Sequence, residues 1–339
     1  MTNPLLPIRH PNRDFFACDI FDTLPYFKDD QASMEHPVFS LSTQPDRRLR
    51  HYEHNGNSIT ILPGYCGLAT IHDKDVLLYC ASYLRAAIQE GHKPEQRVRF
   101  TAYDLLISTN RPTNNLGYER LKAALTRLSG TRIQTNIKTG GVEITEDFGL
   151  IDAWGVIKED RNGRMIAVEV KLSDWLYHAV IANELLTINR DYFRLRKPIE
   201  RRIYELARKH CGDQTNWKIG LGTLQKKIGT TAPIRKLRVP LQELIATDHL
   251  PDYSVSLNDD DIVIFTNRRR EVPAGRQSRL PLLMTETYEK AKRAAPGWDV
   301  YFLEREWWEW SAGKVAPYNP DAAFIAFCKQ KFRREGTEH

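Results

Sequence analysis

An α+β chain built from two similar helical units, each closed by a β-hairpin, and ending in a small helical module is predicted by three observations. The first is an internal repeat. Residues 118–131 (YERLKAALTRLSGT) lie over residues 234–247 (IRKLRVPLQELIAT) at a constant offset of 116 positions. Tyr118, Leu121, Leu125 and Leu128 fall on Ile234, Leu237, Leu241 and Leu244, the spacing that marks one face of a helix. The second is that the segments before the two copies agree in kind and order. The third is that each copy is followed by two alternating segments around turn residues, the signature of a hairpin.

The elements follow in order. DKDVLLYCASYLRAAIQEG predicts a long helix over 73–91, QRVRF a short strand over 96–100, and TAYDLLIST a short helix over 101–109. After the first copy, RIQTNIKTGGVEITE (132–146) predicts a hairpin turning at Gly140-Gly141. Before the second copy, DYFRLRKPIERRIYELARKHCG (191–212) predicts a long helix starting near Pro198, since proline is accommodated in a first turn. A strand over 216–220 (NWKIG) and a short helix over 221–229 (LGTLQKKIG) come next. Pro240, inside the second copy, is expected to bend that helix or shift its boundary. YSVSLNDDDIVIFTN (253–267) predicts a hairpin turning at Asn258-Asp259-Asp260.

Helix, strand, helix, helix, hairpin is the order of a winged helix, a helix-turn-helix carrying a β-ribbon wing. The sequence therefore predicts tandem winged-helix domains. Residues 1–187 form the first. They add strands over 149–160 and 164–172, around a turn at Asn162-Gly163, and an apolar helix over 174–183. Residues 188–270 form the second. Residues 271–339 hold a basic, Gly/Pro-containing linker and a small aromatic-rich helical tail. In that tail one helical pattern over 285–295 continues past Pro296-Gly297 into 298–310, and another covers 321–335. Four of the seven tryptophans (Trp298, Trp307, Trp308, Trp310) lie there, and they are read as its core rather than as a partner surface.

Composition narrows the function classes. With 41% hydrophobic and 27% charged residues and no run of roughly 18 apolar residues, the chain reads as globular, with no membrane partner. MTNPLLPIRHPNRD lacks an apolar core of signal-peptide length, so a cytoplasmic location is expected. Five scattered cysteines without a C-x-x-C pair suggest buried thiols, not a disulfide framework or a zinc site. The net charge of +6 is unevenly spread. Residues 189–240 hold fourteen Lys or Arg against four acids, a surplus suited to a polyanion such as nucleic acid. Solvated helix faces are the competing reading.

Catalytic constellations are sparse. Asp152, Glu169 and Lys171 could hold Mg²⁺ and position a water, as in a nuclease. However, Glu169 and Lys171 alternate with Val168 and Val170 as any half-buried strand would. No G-x-x-x-x-G-K-[ST] loop and no third glycine after the GLG of 220–222 support nucleotide binding. No His-x-His pair occurs among the ten histidines. No catalytic residue, metal or cofactor is expected.

DNA binding remains. In a helix-turn-helix the second helix enters the major groove, where polar side chains opposite its buried stripe reach base edges and phosphates. In the second unit these are Arg235, Lys236 and Arg238, with Lys226 and Lys227 on the preceding helix and Arg268, Arg269 and Arg270 at the end of the wing. The sparser equivalents in the first are Arg111, Asn114, Asn115, Arg120, Lys122 and Arg127.

Four stretches, DFFACDIFDTLPYFKDDQASMEHPVFSLSTQPDRRLRHYEHNG, GLATIHDKDVLLYCASYL, LSDWLYHAVI and PGWDVYFLEREWWEW, resemble the replication initiator protein A family of plasmids and integrative elements in proteobacteria. The resemblance runs over about residues 14 to 335 and is most specific in SMEHPVFSL and GLATIHDKD. It implies a non-enzymatic initiator that recognises double-stranded repeats at an origin and helps open the adjacent duplex. It also implies that the site is passed to host replication proteins such as the replicative helicase. Better-studied plasmid initiators of similar architecture dimerise through the first winged helix to repress their own promoter and bind the origin as monomers. A plain transcriptional repressor, and a Mg²⁺ nuclease at Asp152, Glu169 and Lys171, are the rival readings.

Overall fold

The computed structural model describes residues 4–11, 17–19, 38–54, 57–139, 142–158, 165–181, 186–212, 214–230, 232–270, 283–296, 298, 300–311, 317 and 319–335. They gather into two compact units. The first comprises Met1–Lys209 and Gln225–Pro251, the second His210–Leu224 and Asp252–His339. This division runs across the expected 188–270 segment.

The core of the first unit is helix α1 (Lys74–Gln89), whose residues from Lys74 to Ser82 are all buried. The turn leading into it carries a reciprocal pair of bonds: Thr70 N–H donates to the Asp73 carboxylate (2.8 Å), and Asp73 N–H to the Thr70 hydroxyl (3.3 Å), the pattern of a capping box. Strands β1 (Ala17–Asp19), β2 (Arg50–His54) and β3 (Asn57–Leu62) precede it. Next comes strand β4 (Arg97–Thr101), with Val98 and Phe100 inward. It runs into helix α2 (Ala102–Ser108), whose N-cap Thr101 accepts from Asp104 N–H. Helix α3 (Asn115–Gly130) then buries Leu121, Ala124, Leu125 and Leu128, the stripe expected from the repeat. It can pass close to the preceding loop because residue 117 is glycine: a Cβ there would lie 1.9 Å from the Pro112 carbonyl oxygen.

Strands β5 (Arg132–Thr139) and β6 (Val142–Gly149) form the expected hairpin, whose tip at 140–141 lies outside the described residues. Its role differs from the expectation. β5 pairs with β3, giving a four-stranded sheet in the order β2-β3-β5-β6. The strand between the two helices, β4, pairs instead with β8 (Met165–Leu172), which pairs with β7 (Ile151–Lys158), in the order β4-β8-β7. The reason is register. β8 offers Val168, Val170 and Leu172 to the core, opposite Phe100 and Val98 of β4. Helix α4 (Asp174–Ile181) follows, with Leu176, Ala179 and Val180 buried, and β9 (Leu186–Ile188) pairs with β1. Residues 190–194 form a single 3₁₀ turn, so helix α5 begins at Pro198 (Pro198–His210). The last part of this unit holds the end of helix α6 (Leu221–Ile228) and helix α7 (Ile234–Thr247), which continues through Pro240.

In the second unit β10 (Asn216–Gly220) pairs with β12 (Ile262–Asn267), which pairs with β11 (Tyr253–Leu257). The order β10-β12-β11 repeats that of β4-β8-β7: the strand between two helices, then the second and first strands of a later antiparallel pair. Trp217 stacks between His210 and Phe265, at 4.7 and 4.9 Å between centroids. Three helices complete the unit: α8 (Thr285–Ala294), α9 (Val300–Ser311) and α10 (Pro320–Glu335). α8 and α9 are separate helices, not the one continuous pattern expected. As Trp307 packs on Phe324 among Leu303, Val300 and Cys328, the aromatic tail has its own core, while Trp310 is 58% exposed. The tail is also joined to the sheet. Trp217 Nε1–H donates to the Thr285 hydroxyl and that hydroxyl to the Lys218 carbonyl, both at 2.7 Å.

Candidate nucleic-acid interface

Much of the positive charge in residues 189–209 is internal. Arg201, 3% exposed, places its guanidinium 2.6 Å from Asp75, and Lys74 lies 3.2 Å from Glu205. Glu205 also accepts from the Tyr192 hydroxyl (2.7 Å). Burial alone would lower the pKa of Arg201, but Asp75, Tyr192 and Glu205 together outweigh it and the net shift is upward. Arg190 donates to the His10 carbonyl and Arg194 to the Leu6 carbonyl. These cations hold α5 and the N-terminal segment in place within the first unit, so the raw charge count overstates the surface.

What α5 supports is the pair α6–α7. Arg202 donates twice to the Lys227 carbonyl, at 3.1 and 2.9 Å, satisfying a carbonyl that the end of α6 leaves free. Gly229, at φ +77°, stops α6 in the left-handed conformation that glycine adopts without strain. Gln225 bonds the Ala232 carbonyl at 2.6 Å, and Lys197 pairs with Glu243 of α7. Leu237, Leu241 and Leu244 are at most 1% exposed, which fixes the outward direction of α7. At 100° per residue the opposite ridge is Arg235, Val239, Gln242 and Ala246, and all four are exposed, Val239 at 56%. Lys236 is exposed beside this ridge, and Lys226 is exposed on α6.

The expected contact residues therefore divide. Lys226, Arg235 and Lys236 are presented to solvent. Arg238 is half-buried at the flank of α7, and Lys227 is 4% exposed. In the second unit Arg269 is exposed with its guanidinium 3.0 Å from Asp252, and Arg268 is half-buried. The Arg270 side chain lies outside the described residues. The β11–β12 tip carries Asp259 and Asp260, both exposed, so that end of the ribbon would repel phosphate.

In the first unit Arg111 is half-buried. It donates to Asp75 (2.9 Å) and to the His72 carbonyl. Arg127 grips Asp73 with two bonds of 2.7 Å, and its pKa is raised by that bond. Asn114 is the N-cap of α3 and accepts from Gly117 N–H (3.1 Å). Asn115, Arg120 and Lys122 are exposed, but so is Glu119 between them. Projection from the leucine stripe finds Val239, Gln242 and Ala246, which a search for charges alone passes over.

The residues of the nuclease reading are each tied to a cation: Asp152 to Lys171 (2.8 Å) and Glu169 to Arg97 (2.6 Å). Among the described residues no group of three or more His, Cys, Asp or Glu is placed to share a metal ion. Cys80, Cys211 and Cys328 are buried thiols, and burial pushes Cys328 up to about 12. No helix among the described residues is long and apolar enough to cross a membrane.

A mixed α/β chain of antiparallel sheets and helices with a solvent-facing basic helix is thus the class of protein at hand. The chain belongs to the family described as Replication initiator protein A, whose model matches residues 28–255. A putative replication protein of Wigglesworthia glossinidia brevipalpis is 40% identical over 260 residues, covering 76% of this chain and 94% of that one. Among solved structures, domains 2 and 3 of RctB match with a TM-score of 0.51 and 11% identity, covering 69% of this chain and 94% of that one. The likeness to RctB is one of fold.

Proposed function

We propose that this replication initiator binds double-stranded origin repeats as a tandem winged-helix protein, with α7 in the major groove. The observation that carries the reading is the exposed ridge of α7, with Arg235 on it and Lys236 beside it, held outward by a fully buried leucine stripe. Membership of the Replication initiator protein A family supplies its context. The wing of the first winged helix would be β7–β8, on the strength of the repeated sheet order, and the wing of the second β11–β12. The further roles in this reading are non-enzymatic. The chain opens the duplex beside the repeats and hands it to host replication proteins, the replicative helicase among them. Self-association through residues 1–187 serves repression of its own gene. Residues 188–270 dominate affinity, because Arg111, Arg127 and Asn114 are committed within the first unit.

Footprinting and mobility shifts on DNA flanking the gene test this. Protected repeats are expected, with affinity falling at a log–log slope of about −0.9 per neutralised phosphate. Affinity that stays constant from low to physiological salt refutes it. As the tail is bonded to β10, removing 271–339 would damage the second unit, so point variants are the better probes. Replacing Lys226, Arg235 and Lys236 together by Ala should abolish protection while leaving the circular dichroism spectrum unchanged.

A further inference from the structure

The ridge of α7 has an apolar centre. Val239 sits between Arg235, one turn before it, and Gln242, about one turn after, with Ala246 beyond. Ile234 at the helix start is 37% exposed and Val239 56%. A β-branched residue is a poor choice for a solvated helix position on propensity alone, since it loses side-chain freedom there. The same stiffness makes Val239 a pre-ordered pair of methyl groups, which costs little further entropy when they are covered. What could cover them is limited by the neighbours. Arg235 and Lys236 are exposed and make no ion pair among the described residues, so the occupant is a polyanion with an apolar feature in reach of the groove. In duplex DNA that feature is the thymine C5-methyl, which stands in the major groove beside the acceptors that Arg and Gln read. The corresponding ridge of α3 offers no such site, as Glu119 is exposed along it.

Resting on the DNA-binding reading of α7, we infer that Val239 is a specificity-determining residue that reads a thymine methyl group in each origin repeat. Arg235 and Gln242 on either side would contact the adjoining base pairs, so the thymine should fall inside the recognised sequence and not at its edge.

The test uses the full chain and a random 30-base-pair duplex library, followed by the selected duplex resynthesised with deoxyuridine at each thymine in turn. Deoxyuridine keeps base pairing and phosphates and removes only the methyl. The wild-type chain should bind about fourfold more weakly when one particular thymine is replaced, the worth of a single buried methyl-sized contact. Val239→Ala should lose that discrimination and bind both duplexes alike, and its selected consensus should no longer demand thymine there. The variant favours helix, and its salt slope should match the wild type. Equal binding to thymine and deoxyuridine at every position by the wild-type chain, or the same penalty in Val239→Ala, overturns the inference while leaving DNA recognition standing. Failure to enrich any sequence overturns DNA recognition itself and the inference with it.

Discussion

Replacing Arg201 by Met should destabilise the first unit by about 3 kcal/mol. The guanidinium is 3% exposed and makes three donations: to Asp75 (2.6 Å), to the Leu195 carbonyl (3.2 Å) and to the Phe193 carbonyl (3.4 Å). It also stands 4.8 Å from the centre of the Tyr192 ring. Methionine fills similar space but leaves the Asp75 carboxylate, 1% exposed, short of one cation. Removing one partner of a buried pair costs about 3–5 kcal/mol. The lower end applies, since Arg111 still reaches Asp75 at 2.9 Å. Against a typical total of about 5–15 kcal/mol the loss is large. Urea unfolding followed by circular dichroism measures it, and amide hydrogen exchange of peptides from α1 and α5 localises it. Pairing the change with Asp75→Asn removes the stranded charge, so the double variant should be more stable than the sum of the two losses predicts, by about 0.5–3 kcal/mol. A single-variant loss below about 1 kcal/mol, or strict additivity, would show that the pair does not anchor α5.

Three further outcomes follow from the same geometry. Asn114→Ala should cost about 1 kcal/mol as a lost helix cap with DNA affinity unchanged; weaker binding at unaltered stability would return Asn114 to the interface. Burial, and next the Arg201 charge, hold His72 down at about 3 from 6.5. The unfolded chain therefore takes up that proton first as pH falls. Its contribution is complete above about pH 6.5 and shrinks toward pH 3, by up to about 1.4 kcal/mol per pH unit. His72→Asn should flatten the melting temperature between pH 6.5 and 5, and an unchanged curve would contradict the assignment. Supercoiled plasmid incubated with the protein and Mg²⁺ should stay intact, since Asp152 and Glu169 are paired with Lys171 and Arg97; nicking that disappears in Asp152→Asn would establish the nuclease.

Nearly every helix of the described residues was legible in the sequence, because the signals were local. The leucine stripes of α3 and α7 lie at helical spacing, Pro198 marks the start of α5, and Gly229 the stop of α6. Sheet pairing was not legible in the same way. The hairpin β5–β6 directly follows α3, and adjacency made it the natural wing. Yet which strand β4 adopts depends on side chains some 70 residues later, Val168 and Val170, against Val98 and Phe100. An alternating pattern fixes which face is buried but not which partner supplies the other edge. Strands β2 and β3, with which β5 joins, carry weaker alternation and went unseen.

The candidate site shows a second limit, that a charge has a sign in the sequence but no address. Arg201, Arg202, Arg190 and Arg194 count toward the basic surplus in the same way as Arg235 and Lys236. Their acids and carbonyl partners, Asp75, Glu205, Lys227, His10 and Leu6, are scattered over two hundred residues. Only the fold brings them together. Desolvation then decides the sorting. A guanidinium that is buried must find several fixed acceptors, so cations with such acceptors hold α5 and α6 in position, and those without remain in water. For this reason the useful sequence signal on α7 was the leucine stripe. It sets the direction of the helix, and everything diametrically opposite, charged or not, is turned to solvent. On the DNA-binding reading proposed above, Val239 would belong to the interface as much as Arg235, and a search by charge alone would miss it.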